Sequence, residues 1–305
     1  MQPRPIFVLG IMQRSGTNYL WDLLAQHPDV VTRAPIFEDH LLQRADHLAR
    51  YVDAVTAGWT DSWGVPPEEK DALLRSLGDG IVAFLNAKSD GARVVTKNPH
   101  VTNLELFPRL FPEADLAVVV RDGRNLVASG MRTFGWTHES ATRRYAEAAR
   151  TIVAFDDAHR GGDLRYRIVR YEDLVDRLEP TLLELLDAFG LDPSRYDVEA
   201  AKTLPVRGSS TLKAEGGDGT VHWQPVEKAE GFDPRRRYED WTPYQRHRFA
   251  LLAGEAQRAL GYDSDDPGPT DAATWVKDRV SDAGWLARLA RRKVFGLGGP
   301  DQAAR

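Results

Sequence analysis

Residues 6–18 read Ile-Phe-Val-Leu-Gly-Ile-Met-Gln-Arg-Ser-Gly-Thr-Asn, an apolar run that breaks into a turn of small residues. The run predicts a β-strand, and the turn opens a segment with helical periodicity. A helix that starts here would present backbone donors and its positive dipole end to a phosphate or sulfate. These donors belong to Ser15, Gly16, Thr17 and Asn18. Arg14 adds a full positive charge, so the stretch predicts an oxyanion-binding loop.

This loop differs from the Walker loop of ATP-binding proteins. The Walker pattern is Gly-x4-Gly-Lys-Ser/Thr, whereas the spacing from Gly10 to Gly16 is one residue too long and Thr17 stands where the lysine would be. Taken alone, the stretch is also typical of an ordinary strand–turn–helix connection in an α/β domain. A second motif is needed to decide between these interpretations.

Residues 115–131 repeat the same arrangement. An apolar run at 116–120 is followed by Arg121-Asp-Gly-Arg124 and then by a helix-like segment that contains Ser129. Ligands of open parallel sheets bind at the carboxyl ends of the strands. Two basic strand–turn–helix units therefore predict a ligand with two separate anionic groups, such as a 3′,5′-bisphosphorylated nucleotide.

These two motifs together resemble those of a known family. Residues 13–18 resemble the 5′-phosphosulfate loop of the sulfotransferases, and residues 121–129 resemble their 3′-phosphate motif. The pattern is most similar to the branch of bacterial and protein-tyrosine sulfotransferases, which carry Arg-Ser-Gly-Thr-Thr. Further segments agree in order at His27-Pro28, Thr96–Pro99 and Val169–Val175. The resemblance covers about residues 5–190, and it departs from the family at Asn18, where a second threonine is usual.

The resemblance implies a sulfotransferase of P-loop-like fold. Its co-substrate would be 3′-phosphoadenosine-5′-phosphosulfate (PAPS), used without a metal, and its acceptor a hydroxyl of a small molecule, glycan or lipid. The implied nucleotide-binding residues are Arg14, Ser15, Gly16, Thr17, Asn18, Arg121, Ser129 and Tyr171. Two alternatives stay open. A P-loop-like small-molecule kinase would need Mg²⁺ and a Walker lysine. A non-catalytic nucleotide- or glycan-binding module would tolerate the loss of Arg14 and Lys97.

Sulfuryl transfer requires charge stabilisation and a general base. Arg14 and Lys97 are the cations expected at the transferred group and the bridging oxygen. The acceptor hydroxyl must lose its proton, and the candidate bases are Glu38, Asp39, His40 and His100. The resemblance to the protein-tyrosine branch favours Glu38, because the base of that branch follows the second strand. His100 is the alternative, since the cytosolic branch uses a histidine after the strand that bears the second basic residue.

Composition narrows the class of protein further. The chain has 305 residues, 42% of them hydrophobic, a net charge of −5 and no cysteine. This charge argues against a nucleic-acid-coating protein, and the absence of cysteine excludes disulfides and thiolate chemistry. The apolar run near the N-terminus is too short for a secretory signal, and no segment of about 20 apolar residues could span a bilayer. We therefore expect a cytoplasmic protein.

Alternating apolar strands and amphipathic helices predict an α/β fold, a parallel sheet flanked by helices with a C-terminal loop and helical extension. Strands are expected at 5–11, 29–33, 92–97, 115–121 and 166–171. Helices are expected at 16–26, 101–110, 123–132, 138–160, 178–189 and 242–260, and at 66–86 in two pieces broken near Gly78 and Gly80.

We expect a single domain at 1–262, a linker at 263–271 and a helical tail at 272–305. Residues 205–237 predict a long loop, either a lid over the nucleotide or a solvated surface loop. The tail mixes apolar and basic residues. It fits a helix folded onto the same domain, a dimerisation helix that forms a homo-oligomer, or a helix on a membrane surface.

Overall fold

Five parallel strands form the sheet at the centre of the computed structural model, which describes residues 3–59, 63, 65–66, 68–204, 206–207, 225–226, 237–265, 267 and 271–294. The strands are β1 (Ile6–Gly10), β2 (Val30–Thr32), β3 (Arg93–Asn98), β4 (Asp115–Val120) and β5 (Tyr166–Arg170). Their order is β2-β3-β1-β4-β5, and every neighbouring pair is parallel. The expected fold class is confirmed. Because β1 lies between β3 and β4, the segments that follow these three strands are neighbours at one edge of the sheet.

Helices fill most of the remaining described chain. In chain order they are α1 (Thr17–Leu24), α2 (Ala45–Thr56), α3 (Glu68–Asn86), α4 (Phe107–Leu110), α5 (Gly123–Phe134), α6 (His138–His159), α7 (Tyr171–Asp176), α8 (Leu178–Ala188), α9 (Val198–Lys202), α10 (Pro243–Ala259) and α11 (Ala272–Val294). No helix within the described ranges is both long enough and apolar enough to cross a membrane.

Residue contacts divide the chain into two compact units. The first takes the described residues within Met1–Arg121, Arg150–Ser209 and His222–Ala229, and it contains the whole five-stranded sheet. The second takes those within Asp122–Ala149, Ser210–Val221 and Glu230–Arg305, including α5, α10 and α11. The boundaries expected at residues 262 and 271 stay a prediction.

The central strands β1 and β4 of the first unit are buried on both faces. On one face, Val8 and Val119 pack in an apolar cluster with Leu20 of α1 and Leu185 of α8. On the other face, the ring of Phe7 lies 5.4 Å from that of Phe107, the first residue of α4. Strands covered on both sides need apolar residues at successive positions, which explains the unbroken Val- and Leu-rich runs of the sequence.

Two of the helices expected in the first unit differ from the structure. Helix α3 is continuous, so the expected break near Gly78 and Gly80 is wrong. A Cβ at Gly78 would lie 1.9 Å from the carbonyl oxygen of Leu110, so Gly78 lets α3 approach α4 closely and does not end the helix. The helix expected at 101–110 is shorter, because the chain forms a 3₁₀ turn at Leu104–Leu106 before α4 begins. Helix α2 was not expected at all.

The expected loop at 205–237 is described only in part. Val206–Arg207 and Pro225–Val226 form a short antiparallel pair, β6 and β7, and Arg237 is described as well. Three further segments lie outside the described residues: the rest of this loop, Asp266 and residues 268–270 of the expected linker, and residues 295–305 of the expected tail.

In the second unit, a capping box of Thr242 and Gln245 starts α10.

Candidate active site

The loop after β1 turns sharply into α1. Arg14 has φ 77° and Gly16 has φ 106°, so both adopt the left-handed conformation. A Cβ at Gly16 would lie 2.4 Å from Cδ2 of Tyr171, which only glycine avoids. Thr17 and Asn18 are the first residues of α1, whose first-turn N–H groups have no acceptor within the helix. This loop is therefore shaped to present backbone donors.

Ser15 lies fully buried inside this loop. Its hydroxyl oxygen has no hydrogen-bond partner among the described residues. Unsatisfied buried hydroxyls are uncommon because desolvation without a hydrogen bond costs free energy. A ligand oxygen held by the loop would give this hydroxyl a partner.

Two guanidinium groups meet at this loop. Arg121 directly follows β4 and is 6% exposed, and its Nη1 donates to the carbonyl oxygen of Arg14 at 2.9 Å. The guanidinium of Arg121 lies 4.5 Å from the ring centre of Tyr171. Burial, reinforced by the positive charge of Arg121, lowers the pKa of Arg14 to about 10. An anion bound here would relieve both the desolvation and the repulsion.

Lys97 lies near the carboxyl end of β3, paired in register with Val8 of β1. It is 2% exposed, and its Nζ lies 3.4 Å from Oε1 of Glu38. Burial lowers the pKa of Lys97, and the negative charge of Glu38 opposes that shift. The Nζ also lies 5.8 Å from the ring centre of Trp21. The sheet edge thus carries a second buried cation beside a carboxylate.

The residues after Glu38 are engaged in local contacts. Asp39 accepts from the hydroxyl of Thr96 and from the N–H of Leu41 at 2.7 Å, and its own N–H donates to the carbonyl oxygen of Lys97 at 3.1 Å. Burial raises the pKa of Asp39. Nδ1 of His40 lies 2.8 Å from Oε1 of Gln43. The contacts of Asp39 hold the segment against β3, where the side chain of Glu38 contacts Lys97.

His100 lies beside the oxyanion loop. Its Nε2 is 3.0 Å from Nε2 of Gln13, and its backbone N–H donates to Oδ1 of Asn98 at 3.1 Å. Whichever way the Gln13 amide is turned, Nε2 of His100 is occupied by a hydrogen bond. That contact competes with proton abstraction by this nitrogen.

Ser129 belongs to the second unit, on α5. Asp122 caps this helix by accepting from the N–H groups of Arg124 and Asn125, and the guanidinium of Arg124 pairs with Asp122 at 2.7 Å. Ser129 is fully buried and accepts from Nη1 of Arg237 at 3.2 Å. The backbone N–H of Arg237 donates to Oδ1 of Asn125 at 3.0 Å.

Arg237 is a buried cation, 7% exposed, that sequence reasoning did not name as a site residue. The available signal was the basic run at 235–237. Residues 235 and 236 lie outside the described ranges. Within the described ranges, no three His, Asp or Glu side chains are grouped as ligands of a metal ion would be.

The chain is similar to several solved structures, and the likeness of fold rests on the first of them. A sulfotransferase domain from the olefin synthase of Synechococcus PCC 7002 is 21% identical, with a TM-score of 0.54, covering 87% of this chain and 97% of that chain. A sulfotransferase domain from the curacin biosynthetic pathway is 19% identical, with a TM-score of 0.49, covering 86% and 99%. The sulfotransferase STF1 from Mycobacterium tuberculosis H37Rv is 17% identical, with a TM-score of 0.36, covering 72% and 78%.

Comparison with curated proteins gives no significant match. The family model described as "Sulfotransferase family" matches residues 5–195, which is more than half of the chain. The match contains β1 to β5 and the oxyanion loop with Arg14, Lys97 and Arg121. The chain therefore belongs to the sulfotransferase family, and it is a transferase enzyme.

Proposed function

We propose that this sulfotransferase uses PAPS as its donor and transfers the sulfuryl group to a hydroxyl of a small-molecule, glycan or lipid acceptor. The observation that carries the proposal is the meeting of two arginines at the sheet edge. The guanidinium of Arg121 donates to the backbone carbonyl oxygen of Arg14 at 2.9 Å, and the positive charge of Arg121 helps to lower the pKa of Arg14. Two neighbouring like charges are stabilised by an anion bound between them. The buried hydroxyl of Ser15, without a partner among the described residues, supports the same interpretation.

The residues of the loop fit the 5′-phosphosulfate end of the donor. We assign its oxygens to the amides of Ser15, Gly16, Thr17 and Asn18 and to the guanidinium of Arg14. The threonine hydroxyl that is usual in the family at position 18 is absent, so Asn18 would contribute its backbone N–H.

The 3′-phosphate is assigned to Arg121 and Ser129. For Arg121 the support is its burial beside Tyr171, whose ring faces the guanidinium at 4.5 Å. Tyr171 itself is proposed to lie against the adenine or a nearby phosphate. For Ser129 the support is the sequence motif, together with the hydrogen bond that the guanidinium of Arg237 donates to its hydroxyl.

The catalytic roles follow from the pair at β3. The bound donor supplies a sulfuryl group and a bisphosphate leaving group. Glu38 takes the proton from the acceptor hydroxyl as the acceptor oxygen bonds to sulfur and the bond from sulfur to the bridging oxygen breaks. Lys97, helped by Arg14, stabilises the negative charge that develops on that bridging oxygen. The proton therefore ends on Glu38 and the electron pair on the leaving group.

Glu38 also affects the pKa of Lys97 before the donor and the acceptor react. The carboxylate of Glu38 favours the charged form of Lys97, which burial disfavours. His100, whose Nε2 is hydrogen-bonded to Gln13, is proposed as a neighbouring polar group. It is the alternative base if the Glu38→Gln variant keeps its activity. Residues 38–90 and 205–237 are proposed to shape the acceptor site.

We further propose a cytoplasmic site of action and no nucleic-acid partner, supported by the absence of cysteine and the net charge of −5.

The direct test is incubation of the purified chain with PAPS and small-molecule extracts, followed by mass spectrometry. We expect products heavier by one SO₃ together with release of adenosine 3′,5′-bisphosphate. Calorimetry with that bisphosphate in the presence of a chelator tests the nucleotide site without an acceptor. Failure of the bisphosphate to bind would overturn the donor assignment. Binding without any sulfated product would favour the non-catalytic nucleotide-binding module.

A further inference from the structure

Helix α11 packs within the second unit through its polar side. Asp278 is 8% exposed, and its carboxylate lies 2.9 Å from Nε2 of His247 and 3.2 Å from the hydroxyl of Tyr244. Asp282 accepts from the guanidiniums of Arg143 and Arg248. Arg248 is 1% exposed. The inner contacts of α11 therefore include ion pairs and hydrogen bonds, and the ring of Trp285 also packs against the guanidinium of Arg143 at 5.4 Å.

The opposite side of the same helix is apolar and exposed. Its residues follow alternating spacings of three and four, which place them along one stripe. They are Ala273, Val276, Val280, Ala283, Ala287 and Ala290, all exposed. Val276 is 52% and Val280 66% exposed, and Leu286 beside them is 64% exposed. A helix on a globular domain ordinarily buries its apolar residues, so an exposed apolar stripe along the length of α11 is unusual.

The charges beside the stripe are all positive. Lys277, Arg279, Arg288 and Arg291 are exposed. The acidic residues of the described helix, Asp278 and Asp282, face inward and are paired. The stripe therefore lies between basic flanks that have no acidic counterpart on the same side of α11.

These flanks discriminate between the surfaces that could cover the stripe. A second copy of this chain would bring the same flanks, and antiparallel helices crossing near Ala283 would set Lys277 close to Arg291 of the other copy. Like charges in that position oppose association. An anionic lipid surface instead complements the bases and accepts the apolar stripe at its headgroup–acyl boundary.

We infer that α11 holds the protein on the surface of an anionic lipid bilayer. The apolar stripe enters the boundary between headgroups and acyl chains, and Lys277, Arg279, Arg288 and Arg291 contact the lipid phosphates. The polar inner side stays on its own unit through Asp278 and Asp282. This inference does not depend on which acceptor the enzyme uses.

The experiment is flotation of the full chain with vesicles of phosphatidylcholine alone or mixed with phosphatidylglycerol. We expect binding to the anionic vesicles at low salt, weaker binding at high salt, and little binding to the neutral vesicles. Val280→Asp should lower the fraction bound by about tenfold, because it places a carboxylate in the stripe. Leu251→Asp makes the same change at a residue that is 48% exposed on α10, and it should leave binding unchanged.

A charge-reversal pair tests the flanks. Arg279→Glu should weaken binding to anionic vesicles, whereas Lys88→Glu at an exposed site of the first unit should not. Absence of binding to anionic vesicles at low salt overturns the inference, as do equal losses in Val280→Asp and Leu251→Asp. A dimer in sedimentation that Val280→Asp dissociates, without vesicle binding, would assign the stripe to a second copy and also overturn it.

Discussion

The ammonium of Lys97 and the carboxylate of Glu38 lie 3.4 Å apart at the carboxyl end of β3. Lys97 is 2% and Glu38 23% exposed, so the pair is buried on the lysine side and open to solvent on the carboxylate side. A base must reach an incoming hydroxyl, whereas a charge-stabilising cation gains strength when water is excluded. The unequal exposure of the two groups matches these two roles.

Lys97→Met should lower kcat far more than it weakens binding of adenosine 3′,5′-bisphosphate. The substitution keeps the unbranched apolar stem and removes the charge proposed to stabilise the bridging oxygen. Groups that stabilise charge at a transfer centre are typically worth about 10²–10³ in rate. Turnover of PAPS and calorimetry with the bisphosphate separate the two effects. Lys88→Met, at an exposed site, is the matched control, and near-wild-type turnover in Lys97→Met would remove Lys97 from the reacting group.

Glu38→Gln tests the base. Glutamine keeps the size and the hydrogen-bonding capacity but cannot accept the proton, so the variant should bind the donor normally and lose about 10²–10⁴ in transfer rate. His100→Asn should have a much milder effect, since Nε2 of His100 is already engaged near Gln13. If His100→Asn proves the more damaging change, the mechanism is that of the histidine branch. If neither matters, attention passes to Asp39 or His40.

Arg121→Ala should weaken binding of the bisphosphorylated nucleotide far more than binding of 5′-AMP. The reason is that Arg121 is assigned to the 3′-phosphate, which 5′-AMP lacks. Calorimetry with both nucleotides, with a chelator present throughout, gives the two affinities. Equal losses for the two ligands would take Arg121 out of the 3′-phosphate site. A strict requirement for Mg²⁺ in the wild type would favour a kinase.

The strands were predictable because buried strands appear in the sequence as runs of apolar residues. Each of the five begins and ends within one residue of expectation. The signal is strongest for β1 and β4, which are buried at every position, since a strand covered on both faces needs apolar residues at successive positions. The oxyanion loop was predictable for a related reason. The small residues around Gly16 allow φ 106° and the close approach of Tyr171.

Long-range contacts were not predictable in the same way. Gly78 appears in the sequence as a helix break, and only the position of the Leu110 carbonyl shows that it serves close packing. Glu38 and Lys97 are 59 residues apart in the sequence. Glu38 lies in a segment without periodicity that precedes the unexpected helix α2. The contact from Arg237 to Ser129 spans 108 residues. Local propensity carries no information about such distances.

His138 of the second unit should make folding stability depend on pH. Burial, with a smaller contribution from the positive charge of Arg248, lowers its pKa to about 4 from an ordinary 6.5. The unfolded chain therefore takes up a proton at this histidine near pH 6.5, whereas the folded protein does so only near pH 4. The stabilising contribution is complete above pH 6.5 and is lost as the pH falls through that window.

The measurement is urea denaturation at a series of pH values for the wild type and His138→Gln. The wild type should lose on the order of 2 kcal/mol more of its unfolding free energy than the variant as the pH falls across the window. Glutamine can lower the stability at every pH because the site is buried, so the quantity compared is the change with pH and not its absolute level. His47→Gln, which replaces an exposed histidine on α2, is the matched control. Parallel curves for the wild type and His138→Gln would show that His138 titrates in the folded protein as it does in the unfolded chain.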